Sequence, residues 1–284
     1  MEIRDLNKKD FPKLLKEIPD PPKKMRIVGD FPKTEKYLCI VGSRKYSEYG
    51  KSVCEKLIEG LRGYPITIVS GLAIGVDSIA HTSAIKNNIK TIAVPGSGLS
   101  ENVLYPSTNK YLAHKIVDEG GALISEFEDD FIATPWSFPQ RNRIMAGMSH
   151  ATLIIEAELK SGTLITSKYA IDYNRDVFTI PHSIFSKTSE GPHMLLRLGA
   201  TPITRSSDII TALGLRELEK IYSEKDYSKC STDEKELIDV IREPMTRDEI
   251  IRALGKPVYI TQTILATMEI KGLIKEEMGQ IRLV

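Results

Sequence analysis

The sequence predicts an α/β protein whose main domain is an extended Rossmann-like parallel sheet. From Tyr37 onward, short runs of Val, Ile and Leu alternate with amphipathic stretches, a pattern typical of a parallel sheet covered by helices. Glycines follow several of these runs, as expected where strands turn tightly into helices. A polar stretch then separates this part of the 284 residues from a second set of helical patterns. We therefore predict one large and one small folded unit.

The main domain is placed at residues 37–215. Six strands are predicted there, at residues 38–41, 66–70, 91–94, 122–125, 153–156 and 177–180, with helices between them. A short strand near residues 202–204 and a helix near residues 208–213 would complete the domain.

The segments on either side of this domain have different patterns. Residues 1–36 contain five prolines that interrupt any helix, so an irregular strap across the neighbouring domain is expected. Residues 216–229 are polar and are predicted to form a linker. Residues 230–284 contain two capping-box patterns, beginning at Ser231 and Thr246. A third helical stretch at residues 261–270 and a hairpin at 273–284 complete a predicted winged-helix domain.

Composition sets limits on the possible functions. The net charge is +1, so binding to a polyanion must come from local clusters of basic groups and backbone amides. No apolar run of membrane-spanning length is present, and the first ten residues are charged, so we expect a cytoplasmic protein. The three cysteines lack any metal-binding or disulfide pattern, and we predict neither a metal nor a cofactor.

Four loops that follow predicted strands are rich in Gly, Ser and Thr. They lie at residues 42–44, 71–77, 95–98 and 161–163. In a parallel sheet these loops meet at one edge, where helix amino termini favour anions. Glycine permits close approach of a phosphate, and hydroxyl groups add donors, which suits a phosphodiester or a nucleotide. Any one of these loops alone is more often a tight strand-to-helix turn, and only the four together favour a binding site.

Two sets of side chains could complete such a site. Arg44 follows Gly42 and Ser43, and its guanidinium could grip phosphate oxygens, although a local salt bridge is the alternative. Residues 136–144 place aromatic rings beside two arginines, a combination that suits stacked bases and a phosphate chain. If Pro139 opens a helix, Arg141 and Arg143 point in different directions, so that one could bind an anion while the other braces the loop.

Other polar residues are interpreted as structural. Asp77 and His81 are expected to be a helix-start cap and a hydrogen-bonded core histidine. Carboxylates at strand ends, Glu126, Glu156 and Glu158, are expected to brace loops, because no nucleophile is associated with them. The third helix of the second domain is neutral to acidic on its exposed face, which favours a protein contact over duplex DNA.

Four motifs together resemble the DprA/Smf family in order and in spacing. They occur at residues 41–44, 68–77, 138–147 and 156–166, and the resemblance extends over the strap, the sheet domain and the winged helix. It implies a non-enzymatic protein that dimerises through the Rossmann-like domain and holds single-stranded DNA in a positive pocket. The family's partner is the RecA recombinase, which it loads onto protected DNA during recombination or natural transformation.

The resemblance also assigns site residues. Gly42, Ser43, Arg44, Phe138 and the loop of Ser161, Gly162 and Thr163 fall on the family's DNA-binding motifs, with Arg141 and Lys110 as further candidates. Gly71 and Gly96 join them from the other two glycine loops. The sequence departs from the family at Trp136, where a basic residue is usual nearby, and at His182, where glycine is usual.

The alternative function is that of a nucleotide-processing Rossmann-like hydrolase of the nucleoside monophosphate phosphoribohydrolase type. Such enzymes resemble one another in a glycine-rich run that contains a threonine and a catalytic glutamate. Residues 95–99 lack both of these.

Overall fold

The computed structural model describes residues 2–216, 230–241, 244–277 and 279–283. The chain divides into two compact units, Met1–Leu218 and Glu219–Val284. The predicted linker at residues 216–229 lies, apart from Arg216, outside the described residues.

A mostly parallel sheet forms the centre of the first unit. Among the described residues it has nine strands: β1 (Arg4–Leu6), β2 (Met25–Gly29), β3 (Lys36–Val41), β4 (Ile66–Ser70), β5 (Thr91–Ala93), β6 (Ala122–Ser125), β7 (Ala151–Ile154), β8 (Asp176–Thr179) and β9 (Thr201–Pro202). Their order is β1-β2-β6-β5-β4-β3-β7-β8-β9. Strands β3 to β9 are parallel, whereas β1 pairs antiparallel with β2, and β2 with β6.

Helices cover both faces of this sheet. They are α1 (Lys13–Lys16), α2 (Glu48–Glu59), α3 (Val76–Lys86), α4 (Lys110–Asp118), α5 (Ser137–Met148), α6 (Thr163–Asp172), α7 (Glu190–Arg197) and α8 (Ser206–Ala212). Leu38 and Ile40 of β3 pack with α2, α3 and α8, whereas Cys39 and Val41 pack with α5 and the leader. This alternation follows from the two-residue repeat of a strand, and it produces two apolar layers with the sheet between them.

The predicted α/β class and the six predicted strands are confirmed, with small shifts at the ends. The largest shift is in β7, which begins at Ala151 and ends at Ile154, two residues earlier than expected. The turn after β8 requires no left-handed residue at His182, which is not among the positive-φ positions. The ring of His182 instead donates from Nε2 to the Ile155 carbonyl, 2.9 Å away.

The expectation of an irregular leader at residues 1–36 is wrong in part. Strands β1 and β2 extend the sheet, and β2 buries Met25, Ile27 and Val28 against the core. Between these strands, Ile18 packs against α5 at Gly147, where an added Cβ would lie 2.8 Å from the Ile18 side chain. The two strands were missed because β1 pairs only with β2, and β2 pairs with β6, which lies about a hundred residues away. Local proline content also outweighed a short apolar run.

The described residues of the second unit form three helices and a hairpin. These are α9 (Thr232–Val240), α10 (Arg247–Leu254), α11 (Val258–Ile270), β10 (Ile274–Glu277) and β11 (Gln280–Leu283). Both capping boxes are confirmed: Ser231 pairs with Glu234 at the start of α9, and Thr246 with Glu249 at the start of α10. These elements agree with the predicted order of three helices and a hairpin, and the assignment as a winged helix stays a prediction.

None of the helices in the described parts of the chain combines the length and the apolar character that a bilayer crossing requires.

Candidate nucleic-acid interface

A cleft of about 460 Å³ opens at the carboxyl ends of β3 and β7. The strand order reverses there, because the chain runs outward from β3 to β6 and then returns to β7 on the other side of β3. Such a switch point separates two loops and is the usual ligand site of doubly wound sheets. The two loops that line the cleft are residues 42–45 after β3 and residues 158–163 after β7.

Exposed cations stand at the rim of this cleft. Arg44, Lys45 and Lys160 are exposed and line it, together with one exposed carboxylate, Glu158. Within the described part of the chain, Arg44 has no hydrogen bond or ion pair, and its guanidinium carbon lies 5.5 Å from the centre of the Phe138 ring. The alternative in which Arg44 is used up in a local salt bridge is therefore wrong, and its charge is available to a ligand.

The two loops of the cleft are tied to each other. Thr163 Oγ1 donates to the Gly42 carbonyl at 3.1 Å, and the Thr163 amide donates to Ser161 Oγ at 3.2 Å. Helix α6 begins at Thr163, so its positive end lies at the cleft wall. No atom lies within 4 Å of a Cβ built on Gly162, and the backbone there is open to an approaching ligand. Ser43 has a local role, since its Oγ donates to the Lys45 carbonyl and accepts from the Lys45 amide.

Asp77 fixes the loop after β4. Its Oδ2 accepts from the amides of Gly71 at 3.1 Å and Ala73 at 3.4 Å, on either side of Leu72, whose φ of 58° is left-handed. Burial raises the pKa of Asp77, while Arg141 and the two amides oppose that rise. Asp77 was expected to cap α3, but it bonds the amides of the preceding loop instead. It thereby holds a strained turn whose cost is about 1–2 kcal/mol.

His81 is a core residue, as expected. Its Nδ1 lies 2.7 Å from Thr91 Oγ1, and the side chain is fully buried. Burial, aided by the nearby charge of Arg141, lowers the pKa of His81 to about 3, so the ring is neutral at physiological pH.

Arg141 and Arg143 point to different places, as expected, although α5 begins at Ser137 and not at Pro139. Arg143 forms an ion pair with Glu126 and donates to the Asp20 carbonyl at 2.7 Å, so it braces the leader. Arg141 is 5% exposed, donates to the Val94 carbonyl and lines the bottom of the cleft. Burial lowers the pKa of Arg141 to about 10, which leaves it charged at neutral pH.

The strand-end carboxylates divide into two groups. Glu126 braces Arg143, and the fully buried Glu156 accepts from the amide and hydroxyl of Ser47, which caps α2. The prediction that these two residues brace loops is confirmed. For Glu158 it is wrong, because its side chain is exposed at the cleft rim.

The aromatic segment at the start of α5 does not form one surface. Phe138 lines the cleft, whereas Trp136 packs edge-on against Phe127 and Phe131, with ring centres 5.8 and 5.5 Å apart. Helical residues two positions apart point about 200° away from each other, which separates the two rings. The loop under Trp136 also carries Glu128, Asp129 and Asp130. The expectation of a single surface over residues 136–144 is therefore wrong.

The glycine loops after β4 and β5 support the cleft more than they line it. A Cβ on Gly96 would lie 2.6 Å from Phe138 Cδ1, so this glycine leaves room for the ring. Gly71 likewise lies under Arg141. Neither Gly96 nor Lys110, the first residue of α4, lines the cleft.

A small slot adjoins the cleft and was not foreseen from the sequence. It holds about 40 Å³ and shares Arg44, Ala73, Phe138 and Arg141 with the cleft, while Ile74, Tyr105 and Pro106 form its far side. Tyr105 and Pro106 lie far along the chain from the end of β5, and no local motif marked them. Lys45 and Lys160 were missed because an isolated surface lysine carries no signal.

The fold and the cleft together define a doubly wound α/β protein with a basic, aromatic-lined cleft at its switch point. Within this class the chain belongs to the family of the DNA recombination-mediator protein A, whose model matches residues 2–214.

Individual relatives agree with this assignment. The protein Smf of Escherichia coli is 37% identical over 242 residues, and the match covers 83% of this chain and 64% of that protein. The chain thus spans less than two thirds of that relative's length. The X-ray structure of DNA processing protein A from Streptococcus pneumoniae superimposes with a TM-score of 0.67 at 38% identity, over 74% of each chain. A structure from Helicobacter pylori that concerns the single-stranded-DNA-binding mode of its DNA processing protein A gives 0.67 at 31% identity, over 75% of this chain and 95% of that one.

Proposed function

We propose that this protein binds single-stranded DNA in the cleft at the ends of β3 and β7. The observation that carries the proposal is Arg44, which is exposed, free of hydrogen bonds and ion pairs within the described residues, and stacked over Phe138. A cation and an aromatic ring at one rim provide for the phosphate and the base of the same nucleotide.

The proposed phosphate contacts lie at the loop of residues 161–163, which lines the same cleft as Phe138. Gly162 leaves the backbone at the start of α6 open, and the positive end of that helix favours an anion. Ser161 and Thr163 add hydroxyl groups beside it. Gly42 acts through its carbonyl, which accepts from Thr163 Oγ1, and its lack of a side chain leaves room for Val76, 2.7 Å from a Cβ built there. These groups take a sugar-phosphate chain without reading its sequence, and so we expect little sequence preference.

Arg141 has a different part in this proposal. It is held by the Val94 carbonyl and is almost fully buried, so it supplies positive potential under the cleft. Gly71 and Gly96 act indirectly, because the absence of a side chain leaves room for Arg141 over Gly71 and for Phe138 over Gly96. Lys110 contributes to the potential from the start of α4.

Relatives support the DNA assignment. The Helicobacter pylori DNA processing protein A, to which this chain is similar, binds single-stranded DNA. The chain itself belongs to the DNA recombination-mediator protein A family. On this ground we propose the finer role of protecting single-stranded DNA and loading RecA during DNA uptake, natural transformation or recombination. A homodimer formed through the Rossmann-like domain and a cytoplasmic location belong to the same proposal.

No catalytic step is part of this function. The half-buried Glu126 pairs with Arg143, and the buried Glu156 accepts from Ser47, so both carboxylates are engaged in structural contacts. The glycine-rich loop at residues 95–98, which a nucleotide hydrolase would use, does not line the cleft. These two facts argue against the hydrolase alternative.

The test is fluorescence anisotropy with labelled oligo-dT, a duplex of equal length and a nucleoside monophosphate, at several salt concentrations. We expect the wild type to prefer oligo-dT. Arg44→Ala should weaken this binding roughly tenfold to a hundredfold, because a charged hydrogen bond to phosphate is lost. The slope of log affinity against log salt should become shallower by about 0.7.

A matched control keeps the change in net charge constant. Arg62 is exposed and lies just before β4, at the opposite edge of the sheet. Arg62→Ala should bind oligo-dT as the wild type does. Equal binding by Arg44→Ala and the wild type would overturn the proposed site.

A further inference from the structure

We infer that Tyr105 is a second stacking platform, which receives the base next to the one at Phe138. This inference rests on the proposed binding of single-stranded DNA. It adds a residue outside the loops that line the cleft, and it sets the direction in which the strand leaves.

The two rings are neighbours along one rim. Their centres are 5.6 Å apart and their planes are inclined by 52°. The guanidinium of Arg44 lies on the same Phe138 ring, at 5.5 Å. A continuous row of Arg44, Phe138 and Tyr105 therefore leads out of the cleft toward the start of α4.

The site for the base is the outer face of the Tyr105 ring. The slot between Tyr105 and Phe138 holds only about 40 Å³, and the two ring centres are 5.6 Å apart, less than twice the roughly 3.4 Å spacing of stacked bases. A base does not fit there. Tyr105 is 45% exposed, and the neighbouring Ile74, 48% exposed, extends the apolar surface on the same side.

Tyr105 is fixed before any ligand arrives. Its amide donates to Ser97 Oγ at 3.1 Å, and Ser97 is fully buried. Farther along the same segment, Asn109 donates from Nδ2 to the Leu72 carbonyl at 2.7 Å and to Ser78 Oγ at 2.8 Å. The backbone that carries the ring is thus held, and the ring itself rests against Phe138, so less conformational freedom is lost when a base stacks on it.

The geometry also selects an unpaired strand. Bases stacked in a duplex follow one another at about 3.4 Å, whereas the two rings are 5.6 Å apart and are tilted. Two successive bases can use both rings only when they are separated from each other, as in an extended single strand.

The opposite direction is unfavourable to DNA. Trp136 is also exposed, at 55%, but it lies over the loop with Glu128, Asp129 and Asp130. Arg26 pairs with the first two of these carboxylates and leaves Asp130 exposed. A phosphate chain would be repelled there, while the side of Tyr105 leads toward Lys110.

The experiment compares two probes, labelled oligo-dT and a fully abasic deoxyribose-phosphate strand of equal length. Tyr105→Ala should weaken oligo-dT binding by roughly 5- to 150-fold, the usual effect of removing one stacking ring. It should leave abasic binding and the salt slope unchanged. Arg44→Ala should weaken the binding of both probes, since it removes a phosphate contact.

Two further variants control for folding and for general aromatic contacts. Tyr105→Phe keeps the ring and should bind oligo-dT as the wild type does, which separates stacking from a collapse of the slot. Trp136→Ala removes a ring that is even more exposed than Tyr105 and should have no effect.

The outcomes separate the two ideas. Suppose that Arg44→Ala weakens oligo-dT binding but Tyr105→Ala does not. Stacking on Tyr105 is then refuted, and the proposed binding in the cleft is retained. An equal loss of affinity for both probes would also refute stacking. If the wild type itself does not bind oligo-dT, the proposed function is refuted.

Discussion

The packing under the cleft can be tested by replacing Gly71 with alanine. A Cβ at this position would lie 2.6 Å from Arg141 Cζ and 2.6 Å from Asp77 Oδ2. Both side chains are buried, at 5% and 6% exposure, and Arg141 is also held by the Val94 carbonyl. Neither side chain can turn away without giving up a charged contact.

The expected loss of stability follows from these contacts. Overpacking of a dense site costs about 1–3 kcal/mol, and weakening a hydrogen bond of a charged group adds about 1.5 kcal/mol or more. We therefore expect Gly71→Ala to lower the free energy of unfolding of the first unit by about 2–4 kcal/mol. Backbone strain does not contribute, because Gly71 is not among the positive-φ positions.

Urea unfolding followed by tryptophan fluorescence measures this change. The single tryptophan of the chain, Trp136, lies in the first unit, so the signal reports on that unit alone. Gly162→Ala is the control, since its Cβ meets nothing within 4 Å and its φ of −57° suits alanine. Its stability should stay within about 0.5 kcal/mol of the wild type.

One result would refute the reasoning. If Gly71→Ala unfolds at the same urea concentration and with the same slope as the wild type, Arg141 and Asp77 do not close over this glycine. The account of a rigid, positively charged bottom of the cleft would then have to be abandoned.

Two other predictions concern the same region. Gly96→Ala should displace the Phe138 ring, 2.6 Å from the new Cβ, and lower oligo-dT affinity by an amount no greater than Phe138→Ala does; unchanged affinity in anisotropy would contradict this. His81 has a pKa of about 3 in the folded protein and about 6.5 when unfolded, so its contribution to stability is complete above pH 6.5 and is lost as the pH falls toward 3. Urea unfolding at pH 8 and pH 5 should differ by about 2 kcal/mol more in the wild type than in His81→Gln, and an identical pH dependence in the two would show that the buried imidazole is not the cause.

Strands β3 to β8 could be predicted because each has a local signal. Residues 66–70 and 122–125 are continuous apolar runs bounded by turn residues, and both strands begin and end where the pattern indicated. The leader strand β2 has a similar run, Met25–Gly29, but prolines surround it and its partner β6 is remote. Local sequence does not encode such long-range pairing.

The part of the site that could be predicted consists of residues whose type suits a phosphate and which directly follow a strand. Arg44 and the loop of Ser161 to Thr163 follow strands directly, and the reversal of strand order brings them together. Gly96 was assigned to the ligand because a glycine in such a loop indicates that some group approaches the backbone closely. In the structure that group is the Phe138 ring. Tyr105 was missed since its place on the rim depends on how α4 docks against the sheet.

Charge pairing explains why composition says so little about the place of the proposed DNA contact. In the second unit, Arg247 pairs with Glu276, Lys256 with Asp233, and Lys271 with Glu234. A cation that already has a carboxylate partner must give it up before it can bind phosphate, so its net gain is small. Arg44 has no such partner among the described residues, and its binding to phosphate involves no such exchange. Pairing, and not net charge, therefore decides which of these cations can take up a phosphate, and this is the reason for placing the proposed DNA contact at Arg44.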